Sequence, residues 1–358
     1  MGGRGSVVLV TGYPGLVARK LVEHILTAEP ETRIAAVVLE RGFEQAAHHL
    51  DRLTASQRAR VRILAGDAAA MDFGLSGREL RELVPDVDRI HHAAYVSYVG
   101  VERDVAEQNV RGAIEAVNVA RMCERLSCLV HHSTAEVSGD RRGVVRESEL
   151  DEGQAFYTVV QETRMRAELV MRRAMTDTPI AVVRPTHLVG DSETGEIDRL
   201  DGLYLLVMLV LGLPGDVDVP VPVGGDDALD VVPVDFVVRA AHAIGRSPAA
   251  RGGTFHLTSS EAMTAEQVFD AIARAGGRRA TKSFLPPLLA TLARTPGTRS
   301  VLREPRALLQ QLATNARYDK RQARRILEPH EIVCPPFDSY VATLLAAVER
   351  RMRERADG

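Results

Sequence analysis

Two glycines three residues apart, Gly12 and Gly15, stand where the apolar run Ser6-Val7-Val8-Leu9-Val10-Thr11 ends and a helical pattern (Leu16, Val17, Leu21, Val22, Ile25, Leu26) begins. That spacing suits the binding of a diphosphate. Gly12 turns the chain sharply out of a strand. Gly15, lacking a Cβ, lets an anion approach the backbone N–H groups of Leu16 and Val17 at the positive end of the helix, with Tyr13 and Pro14 completing the turn. Ala18 stands in the third glycine position, a replacement that the dinucleotide fingerprint allows. The second apolar run ends in Glu40-Arg41, where a dinucleotide fold meets the adenosine ribose. A carboxylate there accepts from a 2′-hydroxyl and a guanidinium pairs with a 2′-phosphate. With one of each the choice stays open, and Arg41 tilts it towards NADP(H) over NAD(H).

Those residues need strands to carry them to one edge and helices to cover the strands. The chain supplies both in alternation. Arg33 to Leu39 reads as a second strand, Phe43 to Leu53 as a helix, and Val61 to Asp67 as a third strand that brings Asp67 and Ala68 to an adenine amino group. Ser76 and Glu79 form a capping box for a helix through Leu83. Arg89 to Ala94 is a fourth strand, whose small Ala93 and Ala94 let a cofactor lie close. Asp104 to Leu126 reads as a long helix with Val105, Val110, Ile114, Val117 and Met122 inward and Asn109 facing solvent or the next strand. Cys128 to Thr134 is a fifth strand ending in two hydroxyls, Gln154 to Met175 a helix, and Pro179 to Pro185 a sixth strand stopped by proline. The expected fold is α/β, a doubly wound, mostly parallel Rossmann sheet with ligands at its carboxyl edge. Residues 5–190 form its core, to which 226–258 return. Residues 191–225 and 259–358 form a smaller substrate-side lid, including the apolar helix Leu203 to Leu213, helical segments at 285–292 and 301–313, and a basic closing helix over 338–353.

Composition narrows the function classes. The 358 residues carry 45 Lys and Arg against 48 Asp and Glu, so no strong field points at nucleic acid or an anionic membrane. Cys123, Cys128 and Cys334 are odd in number and lack metal-ligand spacing, which suits a reducing cytoplasm. The N-terminus shows no secretory pattern, and the run 203–213 is too short to span a bilayer. His91-His92 and His131-His132 end neighbouring strands and invite a metal-site reading. Consecutive strand residues point to opposite faces, so at most one of each pair could converge on an ion, and packed histidines are the expectation.

The stretches Thr11-Gly12-Tyr13-Pro14-Gly15, Gly66-Asp67, His92-Ala93-Ala94, Asn109-Val110-Arg111-Gly112, Ser133 to Gly139, Ala167-Glu168-Leu169-Val170, Arg184-Pro185-Thr186 and Val232-Pro233-Val234-Asp235 together resemble the extended short-chain dehydrogenase/reductase superfamily. The likeness is strongest to its branch of fatty-acyl reductases, male-sterility proteins and terminal thioester-reductase domains, and it covers about residues 6 to 240. The resemblance implies a hydroxyl after the fifth strand that holds the substrate carbonyl, here Thr134. It also implies a Tyr-x-x-x-Lys pair on the next helix, in which the tyrosine passes a proton while the lysine binds the nicotinamide ribose and lowers the tyrosine pKa. Counting back from Ala167-Glu168, the lysine position is Arg164 and the tyrosine position is Val160. An arginine can still hold a ribose, but valine has no proton to give. Tyr157 is the nearest substitute, on roughly the same helix face three residues earlier, with Gln161 four residues after it.

By the same resemblance Pro185, Thr186 and Leu188 line the nicotinamide end, and His187 or Glu136 could act as an acid or base. The first functional reading is an NADP(H)-dependent reductase of an acyl thioester, aldehyde or ketone, free or carrier-bound, with Thr134 as oxyanion donor and Arg164 on the ribose. The second is a non-redox dehydratase, isomerase or cyclase using Thr134, Tyr157 or His187. A third is an inert cofactor-binding protein. A monomer or homodimer is expected.

Overall fold

All five residues of the strand that opens the fold are buried, as a strand covered on both faces requires. The computed structural model describes residues 6–97, 101–200, 203–212, 219–222, 228–283 and 316–357. The helical segments expected at 285–292 and 301–313 lie outside these residues. In chain order the first half comprises β1 (Val7–Thr11), α1 (Leu16–Ala28), β2 (Arg33–Val38), α2 (Phe43–Asp51), α3 (Ala55–Arg58), β3 (Val61–Ala65), α4 (Gly77–Leu83), β4 (Val87–His92), α5 (Arg103–Ala106), α6 (Gln108–Met122) and β5 (Cys128–His132). There follow β6 (Gly143–Val145), α7 (Val159–Ala174), β7 (Ile180–Pro185), β8 (His187–Val189), α8 (Leu203–Gly212), β9 (Val219–Pro222), β10 (Val231–Pro233), α9 (Val234–Arg246) and β11 (Thr254–Leu257). The chain closes with α10 (Ala265–Ala275), β12 (Ala280–Ser283), β13 (Ala316–Tyr318), α11 (Arg321–Leu327) and α12 (Val341–Asp357).

The central sheet has seven strands in the order β11-β7-β5-β4-β1-β2-β3, each paired in parallel with its neighbours. The doubly wound α/β expectation holds. The strand order reverses at β1, so a crevice opens between the carboxyl ends of β1 and β4, where ligands of such sheets bind. One face is closed by α1 and α9, whose Leu21, Val22, Val234 and Val238 pack on Val8 and Val10. The other is closed by α6 and α7, through Ala113, Val117, Ala167 and Met171 on Leu9 and Leu129.

Several expectations change. The segment beginning at residue 104 is not one helix: a short turn of helix, α5, precedes α6. The inward face of α6 consists of Asn109, Gly112, Ala113, Ala116, Val117, Val119 and Ala120. Ile114 and Met122, expected inside, are each 41% exposed. Small residues let α6 pack closely on the sheet, and the bulkier pair falls on the solvent side. The strand at 231–233 does not rejoin the central sheet but pairs with β8, and β11 is the seventh strand. Around α8, α10 and α12 a second core forms, with Val207, Phe269 and Leu344 buried in it.

Candidate active site

At Gly12 the backbone has φ +85°, and a Cβ there would lie 2.3 Å from the Ala93 carbonyl oxygen, so glycine is required both by conformation and by the approach of β4. The Gly15 N–H donates to Gly12 O at 2.9 Å, which tightens the turn. Gly15 caps α1 with no side-chain hydrogen bond. The Leu16 N–H, expected to await an anion, instead donates to a carboxylate oxygen of Asp198 at 2.6 Å. Arg19 clamps that arrangement, donating to Pro14 O (2.6 Å), Glu196 (2.9 Å) and Asp198 (2.8 Å). Lys20 pairs with Asp191 at 3.0 Å and Glu196 at 2.9 Å. Burial works against charge on Glu196, but Lys20 and Arg19 outweigh it and hold the carboxyl at about 2. The positive end of α1 attracts an anion, and in this structure the acidic loop after β8 supplies one.

Tyr13 is buried and bonded to His49 Nδ1 at 2.5 Å, while His49 Nε2 contacts Glu23 at 2.8 Å. Burial raises the Tyr13 pKa, so this phenol braces the turn and is no proton source near neutrality. The Val17 side chain is also in the core, leaving only its backbone to a ligand.

A cleft of about 440 Å³ runs from this turn over the carboxyl edge. Gly12, Tyr13, Pro14, Arg41, Asp67, Ala68, Ala94, Tyr95 and Asn109 line it, whereas Glu40 does not. The Asp67 carboxylate accepts from Ala69 N–H at 2.9 Å and so shapes its own loop. Glycine turn, close β1–β4 approach and edge cleft together fit a dinucleotide. The side chains at 185–188 stand elsewhere. Pro185 and Thr186 are buried, with the threonine hydroxyl donating to Asp230 at 3.2 Å, and half-buried Leu188 packs between the cores.

Thr134 follows β5 and, like Arg164, is not among the residues that line the cleft. Its Oγ1 accepts from the Glu136 N–H at 3.2 Å, which orients the hydroxyl and leaves its proton to donate. Arg164 is buried on α7 and donates to His132 O at 2.8 Å, and its guanidinium lies 4.0 Å from the ring centroid of Tyr95. Burial pulls the Arg164 pKa below its ordinary value. One turn further along α7, Glu168 is fully buried and accepts from Ser133 Oγ at 2.7 Å and from Arg184 at 2.7 Å. Burial alone would raise the Glu168 pKa, but Arg184, Arg172 and Ser133 hold it low. Ser133, Glu168 and Arg184 thus rivet α7 to β5 and β7.

Tyr157 is corrected by its placement. Helix α7 begins at Val159, with the Thr158 side chain accepting from Gln161 N–H as its N-cap. Tyr157 therefore precedes the helix and shares no face with residue 160, and it is 44% exposed. Gln161 Oε1 accepts from the Tyr157 N–H at 3.0 Å, so that pairing is a capping contact. His187 is half-buried on β8, with Nδ1 3.3 Å from Asp230 O, and does not line the cleft.

The four histidines pack as two pairs. His91 Nδ1 and His132 Nε2 are 3.2 Å apart, His92 stacks on His131 with centroids at 5.5 Å, and His92 Nδ1 meets Thr11 Oγ1 at 2.9 Å. Burial pushes His92 and His132 to about 3 and the other two well below their ordinary value, so all four are neutral near pH 7. Among the described residues no group of three or more His, Cys, Asp or Glu could hold a metal.

Three residues enter the site that the sequence did not assign to it. Asn109 is buried and pins the loop after β4, accepting from Val96 N–H at 2.7 Å and donating to Val96 O at 3.2 Å and to Thr163 Oγ1 at 3.1 Å. Asp198 meets Leu16 across 182 residues of chain, beyond any local pattern. Tyr95 gave a usable signal, since it is an aromatic directly after the alanines at the edge of β4.

A parallel sheet with a glycine turn at its switch point, a hydroxyl after β5 and a buried cation on α7 defines an atypical short-chain dehydrogenase/reductase with a nicotinamide-dinucleotide-binding domain, of the type of the acyl and thioester reductases. Residues 10–241 match the family model described as male sterility protein, and the chain belongs to that family. It is 25% identical over 173 residues to fatty acyl-CoA reductase 1 of Arabidopsis thaliana, a match covering 42% of this chain and 35% of that protein. It is 24% identical over 282 residues to L-2-aminoadipate reductase of Schizosaccharomyces pombe, covering 71% of this chain and 19% of that protein. The chain thus spans about a third or less of these curated relatives. The crystal structure of the terminal R domain from the myxalamid PKS-NRPS biosynthetic pathway superposes with a TM-score of 0.83 at 22% identity, covering 98% of this chain and 92% of that one. Among the described residues no helix is long and apolar enough to cross a membrane.

Proposed function

We propose that this chain is an NADP(H)-dependent reductase that converts an acyl thioester, carried on a pantetheine-type thiol, to the aldehyde. The observation that carries the reading is the retained pair beyond β5 and on α7, the Thr134 hydroxyl held by the Glu136 N–H with its own proton still to give and the Arg164 cation anchored on His132 O. When bound, the cofactor supplies a hydride to the carbonyl carbon. Thr134 Oγ1 donates a hydrogen bond to the carbonyl oxygen as negative charge grows there. Arg164 holds the nicotinamide ribose. The backbone from Gly12 to Val17 binds the diphosphate once Asp198 has left it, Asp67 and Ala68 face the adenine, and the Ala93 and Ala94 backbone lies under the dinucleotide. Pro185, Thr186 and Leu188 contribute backbone at the nicotinamide end. Arg41 lines the cleft and Glu40 does not, which supports the 2′-phosphate cofactor.

The reading is tested by following NADPH oxidation and aldehyde formation together across acyl-pantetheine, aldehyde and ketone substrates. One NADPH consumed per aldehyde formed from a thioester is the expected result. Turnover at unchanged product mass without NADPH loss contradicts it and favours non-redox chemistry on the same scaffold, which the aliphatic Val160 would suit.

A further inference from the structure

The aliphatic residue at 160 leaves this site without a proton donor where its family carries one. We propose that Tyr95, from the loop after β4, is the acid–base phenol of this active site and that Arg164 is its positioning cation, an inference that rests on the reductase reading above. Three observations converge on it. The Tyr95 ring borders the edge cleft. Its centroid is 4.0 Å from the guanidinium carbon of Arg164, the residue that replaces the customary lysine. The loop bearing it is fixed to α7, because Asn109 holds both the N–H and the carbonyl of Val96 and also donates to Thr163, the neighbour of Arg164.

Arg164 in turn is bonded to His132 O, two residues before Thr134. Phenol and cation are thus in contact, and the oxyanion-binding hydroxyl stands two residues beyond the carbonyl that anchors the cation. Tyr13 braces the glycine turn against His49, and Tyr157 is exposed ahead of α7. A fixed cation beside a phenol favours the phenolate and so makes its proton easier to release. The groups around the guanidinium are Glu136 and Glu168 with His92, His131 and His132, and the three histidines are neutral near pH 7.

One hydride is taken up at the thioester carbonyl carbon while the Tyr95 Oη proton passes to its oxygen, giving a thiohemiacetal. The C–S bond then breaks to give aldehyde and free thiol. The nicotinamide leaves oxidised by two electrons, and solvent returns a proton to Tyr95.

Tyr95→Phe keeps the ring over Arg164 and removes only the hydroxyl, so a purely structural stack survives it. The expected result is a fall in kcat of about 100-fold or more with NADPH affinity and melting temperature unchanged, and partial rescue in Tyr95→Phe/Val160→Tyr, where the phenol returns from α7. Unchanged kcat in Tyr95→Phe overturns the proposal while the reductase reading stands. A wild-type protein that oxidises no NADPH with any thioester refutes the reductase reading instead. The pair is then judged by ultraviolet titration without cofactor. Tyr95, identified as the wild type minus Tyr95→Phe difference, must ionise at lower pH than an ordinary tyrosine, and Arg164→Met must abolish that shift. An unshifted Tyr95 overturns the phenol–guanidinium pair as an acid–base device.

Discussion

Asp198 sits where a diphosphate oxygen would be welcome, so replacing it should tighten nucleotide binding. Its carboxylate accepts from Leu16 N–H at 2.6 Å and from Arg19 at 2.8 Å. A hydrogen bond to a charged group contributes about 1.5–3 kcal/mol. The Asp198 side chain is 34% exposed, so screening places it at the lower end, about 1.5 kcal/mol. A ligand that must displace this contact loses that much apparent affinity, about tenfold in Kd. Asp198→Ala should therefore bind NADPH about tenfold more tightly. Arg19 stays in place through Pro14 O and Glu196. The same variant removes a cap from α1 and should lower the melting temperature of the free protein, at a cost of about 1 kcal/mol. Calorimetric titration with NADPH, paired with thermal unfolding with and without nucleotide, reads both effects. Unchanged or weaker NADPH binding in Asp198→Ala would refute the competition argument and show that the carboxylate shapes the turn for the cofactor.

Arg41→Ala should weaken NADPH by about tenfold or more while leaving NADH nearly unchanged, because the guanidinium is needed only for a 2′-phosphate; equal losses for the two cofactors, measured by the same titration, would remove the preference. Thr134→Ala should lower kcat by about 10²–10³ with NADPH affinity unchanged, and a loss confined to KM would deny it an oxyanion role. The buried histidines give a pH dependence. His92 and His132 titrate at about 3 in the fold against an ordinary 6.5, so they bind fewer protons folded than unfolded. Their contribution is fully present above pH 6.5 and is lost as pH falls from 6.5 towards 3, by about 1.4 kcal/mol per histidine per pH unit. Urea unfolding from pH 7 to pH 4 should show this slope, and flat stability would mean that the histidines are hydrated.

Much of the scaffold was legible because parallel strands buried on both faces read as apolar runs, and six of the seven central strands lie in a strand–helix alternation that the sequence displays directly. The Gly12 turn was legible for a steric reason, since it must pass the Ala93 carbonyl. The pairing of the histidines followed from strand alternation and the register that sets His92 beside His131. The start of α7 was misread although its signal was present: Thr158 followed by Gln161 is a capping pattern, and it ends the case for Tyr157 on the helix face. The inward face of α6 was read only in part, at Val117, because Gly112, Ala113, Ala116 and Ala120 carry little hydrophobic signal. Asp198 on Leu16 and Tyr95 on Arg164 join elements far apart in the chain, and only the closed sheet brings them together.

The most direct test of the account follows the hydride itself. The protein is given an acyl-pantetheine thioester and NADPH deuterated at the hydride-bearing carbon, and the product is examined by mass spectrometry. An aldehyde carrying one deuterium on its carbonyl carbon for each NADPH oxidised is the expected product. An unlabelled product formed without NADPH loss would contradict it.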